Sequence, residues 1–471
     1  MADPVPIEFG TGSHPGLYGP DNGPRHINVR MGVAAEAKSP TPYYSYWGTD
    51  TLTTISNVTT GCRGMIKIDN SVIGLFGTQL VEIDTSGGVT ALGGIPGTAP
   101  AILARNQAEP LPMVAIVSDG VRYVWTGSAL ATLDDPDLPS PNSVCFLNQR
   151  MIYGIPDGRF FWTDVGSATD VNSLSFAEGE ADPDGGVRVF NHRGDLWLFG
   201  TDTTQIFRDT GQTSNTFAPV GGGYTRRGCA SAHTVAQLGD ELIWLGDNGT
   251  VQLASGYQGE TISHEAVQAS IMSVSDKSTI TGAAYYFKGL GFYELSSPTW
   301  TWVFNRATKT WFEAQSYGLP RRRTQMAAQL GSSVIMGDYA TGAIYALSET
   351  TFAEGSNPMV WELRSPPWHA YPNRVSCYRA YFDFITGVGL NSGVRDDDNP
   401  KVMIDWSDDG GKTFGNVVTR KLGTIGTRGT TIEINGLGAT SRQGRIWRLR
   451  IASKVPRALM SAKAEASKIG T

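Results

Sequence analysis

The sequence predicts an all-β fold. It reads as a β-propeller of six to seven four-stranded blades, with an extended N-terminal arm and a C-terminal β module carrying one Asp-box hairpin. Three observations predict this. A hairpin-like unit recurs through the middle of the chain, turn-forming residues are abundant (Gly 57 and Pro 25), and the regular spacing breaks near residue 360.

The repeat comes first. The segments "KIDNSVIGLFGTQLVEID" from 67, "FLNQRMIYGIPDGRFFW" from 146, "NHRGDLWLFGTDTTQIF" from 191, "QLGDELIWLGDNGTVQL" from 237 and "QLGSSVIMGDYATGAIYAL" from 329 share one plan. A polar turn leads into about four apolar residues, then Gly or Gly-Asp, then a second β-rich run. The closing glycines Gly77, Gly154, Gly200, Gly246 and Gly337 are separated by 77, 46, 46 and 91 residues. Two gaps are close to double the others, and weaker copies from 113 ("MVAIVSDGVRYVW") and 285 ("YYFKGLGFYEL") fill them. The period suits propeller blades, because one four-stranded sheet cannot bury both faces alone and must stack on its neighbours. A pair of β-sandwiches is the competing architecture, and regular spacing disfavours it. Trp125, Trp162, Trp197, Trp244, Trp302 and Trp311 fall in or beside these strands and are expected to pack between blades; sugar stacking is the alternative.

The flanks differ. Residues 1–55 are Gly- and Pro-rich without a period and read as an extended arm. The propeller is assigned to 56–360. A Pro-rich joint, "SPPWHAYP", opens a separate β module over 361–455, and 456–471 reads as a flexible tail or short helix.

Composition narrows the function. Charged residues make up 17% and the formal net charge is −6, which disfavours tight wrapping of nucleic acid by the whole chain. The N-terminus has neither a basic nor an apolar signal region, so export by that route and membrane insertion are not expected. Cys62, Cys145, Cys229 and Cys377 are far apart and read as buried free thiols rather than metal ligands or disulfides. The six histidines form no ligand spacing, and no nucleophile elbow or phosphate loop is present. Acidic stretches from 134, 180 and 395 match no calcium loop and read as solvated turns. Neither a cofactor, a metal nor a catalytic constellation is expected.

Two motifs remain. "WSDDGGKTF" from 406 fits an Asp-box through Ser407, Asp409, Gly411, Thr413 and Phe414. Asp-boxes are familiar from sialidases, but each residue has a structural task. Asp409 accepts turn amides, Gly411 supplies positive φ, and Phe414 is expected to anchor the hairpin in the core. The second motif is the basic run Arg321, Arg322 and Arg323, a candidate contact to DNA phosphates or to another subunit.

Several segments, in order, resemble the packaged-DNA stabilisation or tail-nozzle proteins of short-tailed bacteriophages. They are "WVFNRATKTWFEAQSYG" at 302–318, the following "RRRTQMAAQLGSSVIMGDYATGAIYAL", and "IDWSDDGGKTFGN…RKLGTIGTRG…GRIWRLRIA" in the C-terminal module. The resemblance implies a non-enzymatic virion protein made in the host bacterial cytoplasm. It implies a homo-oligomeric, typically hexameric, ring below the portal-adaptor, next to needle, tailspike or fibre proteins, with packaged DNA passing through the lumen. A glycan-binding or glycan-hydrolysing propeller is the alternative.

Overall fold

Each repeat unit folds as an antiparallel meander because its apolar runs are joined by turns that only a few residues tolerate. In the first unit, Cys62–Ile68, Ser71–Phe76, Gln79–Asp84 and Val89–Gly94 pair in sequence. Asp69 and Gly77 take positive φ at its two tight turns. The second strand is the one that the sequence repeat detects, and it is buried on both faces. A strand sandwiched between neighbouring sheets reads as a continuous apolar run rather than an alternation.

A computed structural model of the chain describes residues 4–16, 23–33, 41–109, 112–179, 182, 184–213 and 215–469. It contains seven four-stranded blades. Six are built from consecutive segments: 62–94, 102–132, 143–178, 186–225, 236–261 and 281–313. The seventh takes three strands from Thr324–Leu330, Ser333–Asp338 and Ala343–Ser348. Its fourth is Gly48–Thr54, from the start of the chain, antiparallel to the third with Ser348 opposite Gly48. Among the described residues the apolar core divides into eight clusters. Seven lie one at each blade junction, and the eighth fills the C-terminal unit.

That unit is a two-sheet sandwich. One sheet runs in the order Val29–Met31, Tyr43–Ser45, Ala458–Ile469, Arg374–Phe384, Ile432–Asn435, with Pro4–Pro6 also on Ala458–Ile469. The other runs Arg25–Ile27, Trp361–Arg364, Ile446–Ile451, Lys401–Ser407, Val418–Lys421. It joins blade six through a parallel pairing of Ile27 with Glu313. Trp361, Leu363, Phe382, Ile404, Trp447 and Leu459 fill the space between the sheets.

Two expectations about the flanks change. The described residues of 1–55 are not a free arm: they supply the strand that closes blade seven and four strands of the sandwich. Residues 17–22 and 34–40 of that segment lie outside the described residues. Nor is 456–471 a tail, since Ala458–Ile469 is the longest strand and lies inside its sheet. Its Ala462, Ala464 and Ala466 face the core while Ser461, Lys463 and Glu465 face out, a period-2 pattern. Arg457, just before it, ties the sandwich to the propeller. It donates to the carbonyls of Met359 (2.5 Å), Phe352 (2.7 Å) and Ser453 (2.8 Å).

Histidines are built into these junctions in neutral form. His26 is fully enclosed and its Nε2 donates to the carbonyl of Phe9 at 2.7 Å; burial pushes its pKa down to about 4. His264 stacks on His14 with ring centroids 3.9 Å apart, and burial followed by the nearby His14 lowers it to about 4. Burial and then Arg188 lower His233 to about 3. Each takes up a proton more readily when unfolded, so their neutral packing is fully stabilising above the ordinary value of 6.5. That stability is lost as pH falls below 6.5 toward 4. For His26 alone the full loss is on the order of 3 kcal/mol. The thermal midpoint is therefore expected to stay level above neutrality and drop between pH 6.5 and 5, before ordinary carboxylates titrate. A calorimetric series level from pH 7 to 5 would contradict this.

Candidate DNA and subunit contact surface

The basic run lies in the connection between blades six and seven, where carboxylates from distant strands meet it. Arg322 is 1% exposed. Its guanidinium pairs with Glu294 of blade six, lies 3.6 Å from Glu354, and sits 4.7 Å from the centre of the Tyr46 ring. Glu294 also accepts the hydroxyls of Tyr46 (2.6 Å) and Tyr285. Arg321 is 4% exposed, stacks over Tyr339 at 4.3 Å and donates to the Arg322 carbonyl (3.0 Å). Arg323 faces Asp338 at 3.4 Å and keeps about a quarter of its side chain exposed. The expected surface contact thus falls away from Arg321 and Arg322, and only Arg323 reaches solvent. The reason is tertiary. Glu294 and Glu354 lie 28 and 32 residues from Arg322 in sequence, so the run looked unpaired.

The hairpin at 407–414 is held by short-range bonds. Ser407 donates to Asp409 (2.6 Å) and accepts from the Gly411 amide (2.9 Å), while Asp409 takes the amide and hydroxyl of Thr413 (2.9 and 2.5 Å). Gly410 and Gly411 both have positive φ. The hydroxyls of Ser407 and then Thr413 hold the Asp409 carboxyl well below the usual range. Phe414 departs from expectation. It lies not in the core but on the outer face of the sheet, its ring 3.8 Å from the Arg448 guanidinium and 5.4 Å from that of Arg364. Those arginines belong to a paired lattice: Arg448 and Arg450 share Asp405 (2.5 and 3.0 Å), Arg364 holds Glu362 (2.6 Å), and Arg445 grips Asp408 (2.9 and 2.8 Å).

Beyond these pairs the two units differ sharply in charge. Residues 361–471 carry 17 Lys and Arg against 10 Asp and Glu, a net of +7; residues 1–360 carry 21 against 34, a net of −13. Over 361–471 nine of those cations are exposed, among them Arg374, Arg428, Lys463 and Lys468, and Asp396 is the one exposed carboxylate among the described residues of that stretch. Whole-chain charge conceals this division. Summing charge on either side of the Pro-rich joint would have revealed it.

The acidic stretches form turns. Asp135 accepts the Asp137 and Val171 amides, Asp184 those of Asp202 and Thr203, and Asp398 those of Ser392 and Gly393. Residues 180, 181 and 183 lie outside the described residues. Among the described residues no three His, Cys, Asp or Glu side chains converge as metal ligands. No helix among them is long and apolar enough to cross a membrane, and the four cysteines are buried and free. Trp162, Trp197, Trp244, Trp302 and Trp311 are buried between blades, so none presents a ring face to a sugar; Trp125 is half-buried. The propeller axis holds a cavity of about 190 Å³, lined by glycine and alanine together with larger side chains such as Leu103, Met326 and Arg188. It has room for a few water molecules, not for a duplex whose major groove alone is about 12 Å wide.

Comparison with known proteins gives two family matches that together cover most of the chain. The family described as "Bacteriophage P22 Gp10, beta-propeller" matches residues 33–352, and "Bacteriophage P22 Gp10, beta-sandwich" matches 361–467. No curated protein matches. Among solved structures, virginiamycin B lyase from Staphylococcus aureus is 9% identical with a TM-score of 0.45, covering 63% of this chain and 97% of that one. Raptor from Chaetomium thermophilum is 14% identical with a TM-score of 0.43, covering 66% and 30%. Likeness at this level carries no argument about activity.

Proposed function

Since the chain belongs to the bacteriophage P22 Gp10 family, structural proteins of the phage tail that stabilise packaged DNA, we propose that it forms a ring, hexameric by resemblance, whose basic sandwich faces the DNA. The observation that carries this reading is the charge division, +7 over residues 361–471, which form most of the sandwich, against −13 over 1–360. A polyanion under confinement is drawn to the basic unit and repelled by the acidic one, which positions it without wrapping. The axial cavity is too small for DNA, so the lumen lies between subunits rather than through a propeller. The ring continues the channel below the portal-adaptor, contacts needle, tailspike or fibre proteins through its outer surfaces, and retains the genome without catalysis. Subunits are made in the host cytoplasm and act in the virion. Arg323 is retained as a subunit contact.

The test is DNA binding by the assembled protein. Arg374→Glu, Arg428→Glu and Lys463→Glu together are expected to flatten the dependence of log affinity on log salt, by about one for each phosphate that is no longer neutralised. DNA-filled particles from the triple variant should also be fewer. An unchanged salt slope with normal yields of filled particles would sink the reading.

A further inference from the structure

We propose that the axial cavity of the propeller is an anion-binding site in which Arg188 holds a compact free oxyanion of phosphate or carboxylate type. Arg188 lies on Gly186–His192, the innermost strand of blade four, and lines the cavity beside His233 and Gln237. The rest of the lining is uncharged, with Gly64, Ala101, Gly282 and Ala327 set among larger apolar side chains such as Leu103 and Met326.

The guanidinium is under-satisfied for a cation half-buried at the axis. It donates to one carbonyl, that of Ala232, and stands 5.3 Å from the centre of the Phe190 ring. Its Nε is buried with no hydrogen-bond partner among the described residues, although the group offers five donors. No carboxylate among the described residues pairs with it, and none lines the cavity. The charged neighbours it might otherwise use are absent: Cys145, Cys229 and Tyr293 are all held neutral by burial. Burial lowers Arg188 itself only to about 10, so the charge persists at neutral pH.

Arg63, Arg322, Arg445 and Arg457, which are more fully enclosed than the half-buried Arg188, show what this fold does with an enclosed cation. Arg322 and Arg445 meet carboxylates at close range, and Arg63 and Arg457 are each tied to at least three carbonyls. A half-buried charge lacking such compensation is disfavoured, though less than a fully buried one. A diffusible anion supplies it here, and the fork of Arg188 suits two oxygens of one group. The volume of about 190 Å³ sets the class. It lies below the range of about 300–1,000 Å³ typical of larger organic ligands and admits phosphate or a small carboxylate. His233, neutral and on the same wall, is able to donate a further hydrogen bond.

The experiment titrates inorganic phosphate, and separately acetate, into the full chain at constant ionic strength set with chloride. Calorimetric binding and thermal midpoint are read for the wild type, Arg188→Met and Arg188→Lys. The expected result is saturable phosphate binding with a rising midpoint in the wild type. Arg188→Met should lose both while melting no lower than the wild type in chloride, because an uncompensated charge has been removed. Arg188→Lys keeps the charge but not the fork and should bind at least tenfold more weakly. Two results would overturn the site: wild type that neither binds nor responds to either anion, or Arg188→Lys binding phosphate as tightly as the wild type.

Discussion

Ending the chain after Pro456 is expected to abolish the folded C-terminal sandwich. The residues removed read in sequence as a dispensable tail, yet they contain Arg457 and the strand Ala458–Ile469. That strand pairs with Arg374–Phe384 over ten positions and also supports Tyr43–Ser45 and Pro4–Pro6. Its ladder bonds contribute about 1 kcal/mol each, and burying Leu459 adds roughly 2 kcal/mol. The total is comparable with the whole stability of a typical domain, about 5–15 kcal/mol. Circular dichroism and limited proteolysis check the outcome: the truncated chain should lose the sandwich transition and be cut within 361–456. A truncated chain that melts like the full one would show that the strand is ornamental.

Arg322→Ala is expected to cost about 3–5 kcal/mol, the usual penalty for removing one partner of a buried ion pair. The substitution leaves Glu294 1% exposed, without its cation and still surrounded by Tyr46 and Tyr285. Burial already raises the Glu354 carboxyl, and Arg322 is the largest influence opposing that. The cluster also joins the segment leading into Gly48–Thr54 to blades six and seven, because Tyr46 and the Trp47 carbonyl both contact Arg322. The damage should therefore appear as opening of the propeller at its seam. Urea unfolding with hydrogen exchange resolves this, with loss of protection first at 48–54 and 343–348. Arg323→Ala, whose ion pair is longer and partly solvated, should cost under about 1 kcal/mol. Equal effects from the two substitutions would remove the seam argument.

These two sites mark where sequence reading succeeded and where it stopped. The blades were legible because their second strands are apolar on both faces, and a run such as "SVIGLF" has little other use. The turn at 407–413 was legible because its bonds span two to four residues. The strand that closes blade seven was not, since "GTDTLTT" is polar; it is an outer strand exposed along much of one side. The last strand was hidden by alanine, which is a poor strand former, although Ala-Lys-Ala-Glu-Ala alternates strictly. Arg321 and Arg322 were misread because their partners are set by tertiary contacts. Phe414 was misread because its apolar character suggested the core, when two arginines cover it on the outer face. The charge division was present in the letters and vanished in the whole-chain sum.

The pairing of Pro4–Pro6 with Ala458–Ile469 bears on how the protein is made. The propeller can close as soon as its seventh unit leaves the ribosome, because Gly48–Thr54 has been waiting since the start. The sandwich cannot, for Pro4–Pro6 and Tyr43–Ser45 must wait for Ala458–Ile469, more than 400 residues further along the chain. At about 5–20 residues per second that interval is roughly 20–90 s. Throughout it the opening strands of the chain carry unpaired edges. A chain cut short before Ala458 cannot cover them and is left open to proteolysis and to wrong pairing. Synthesis of Ala458–Ile469 thus acts as a check that the chain has been read through to that strand.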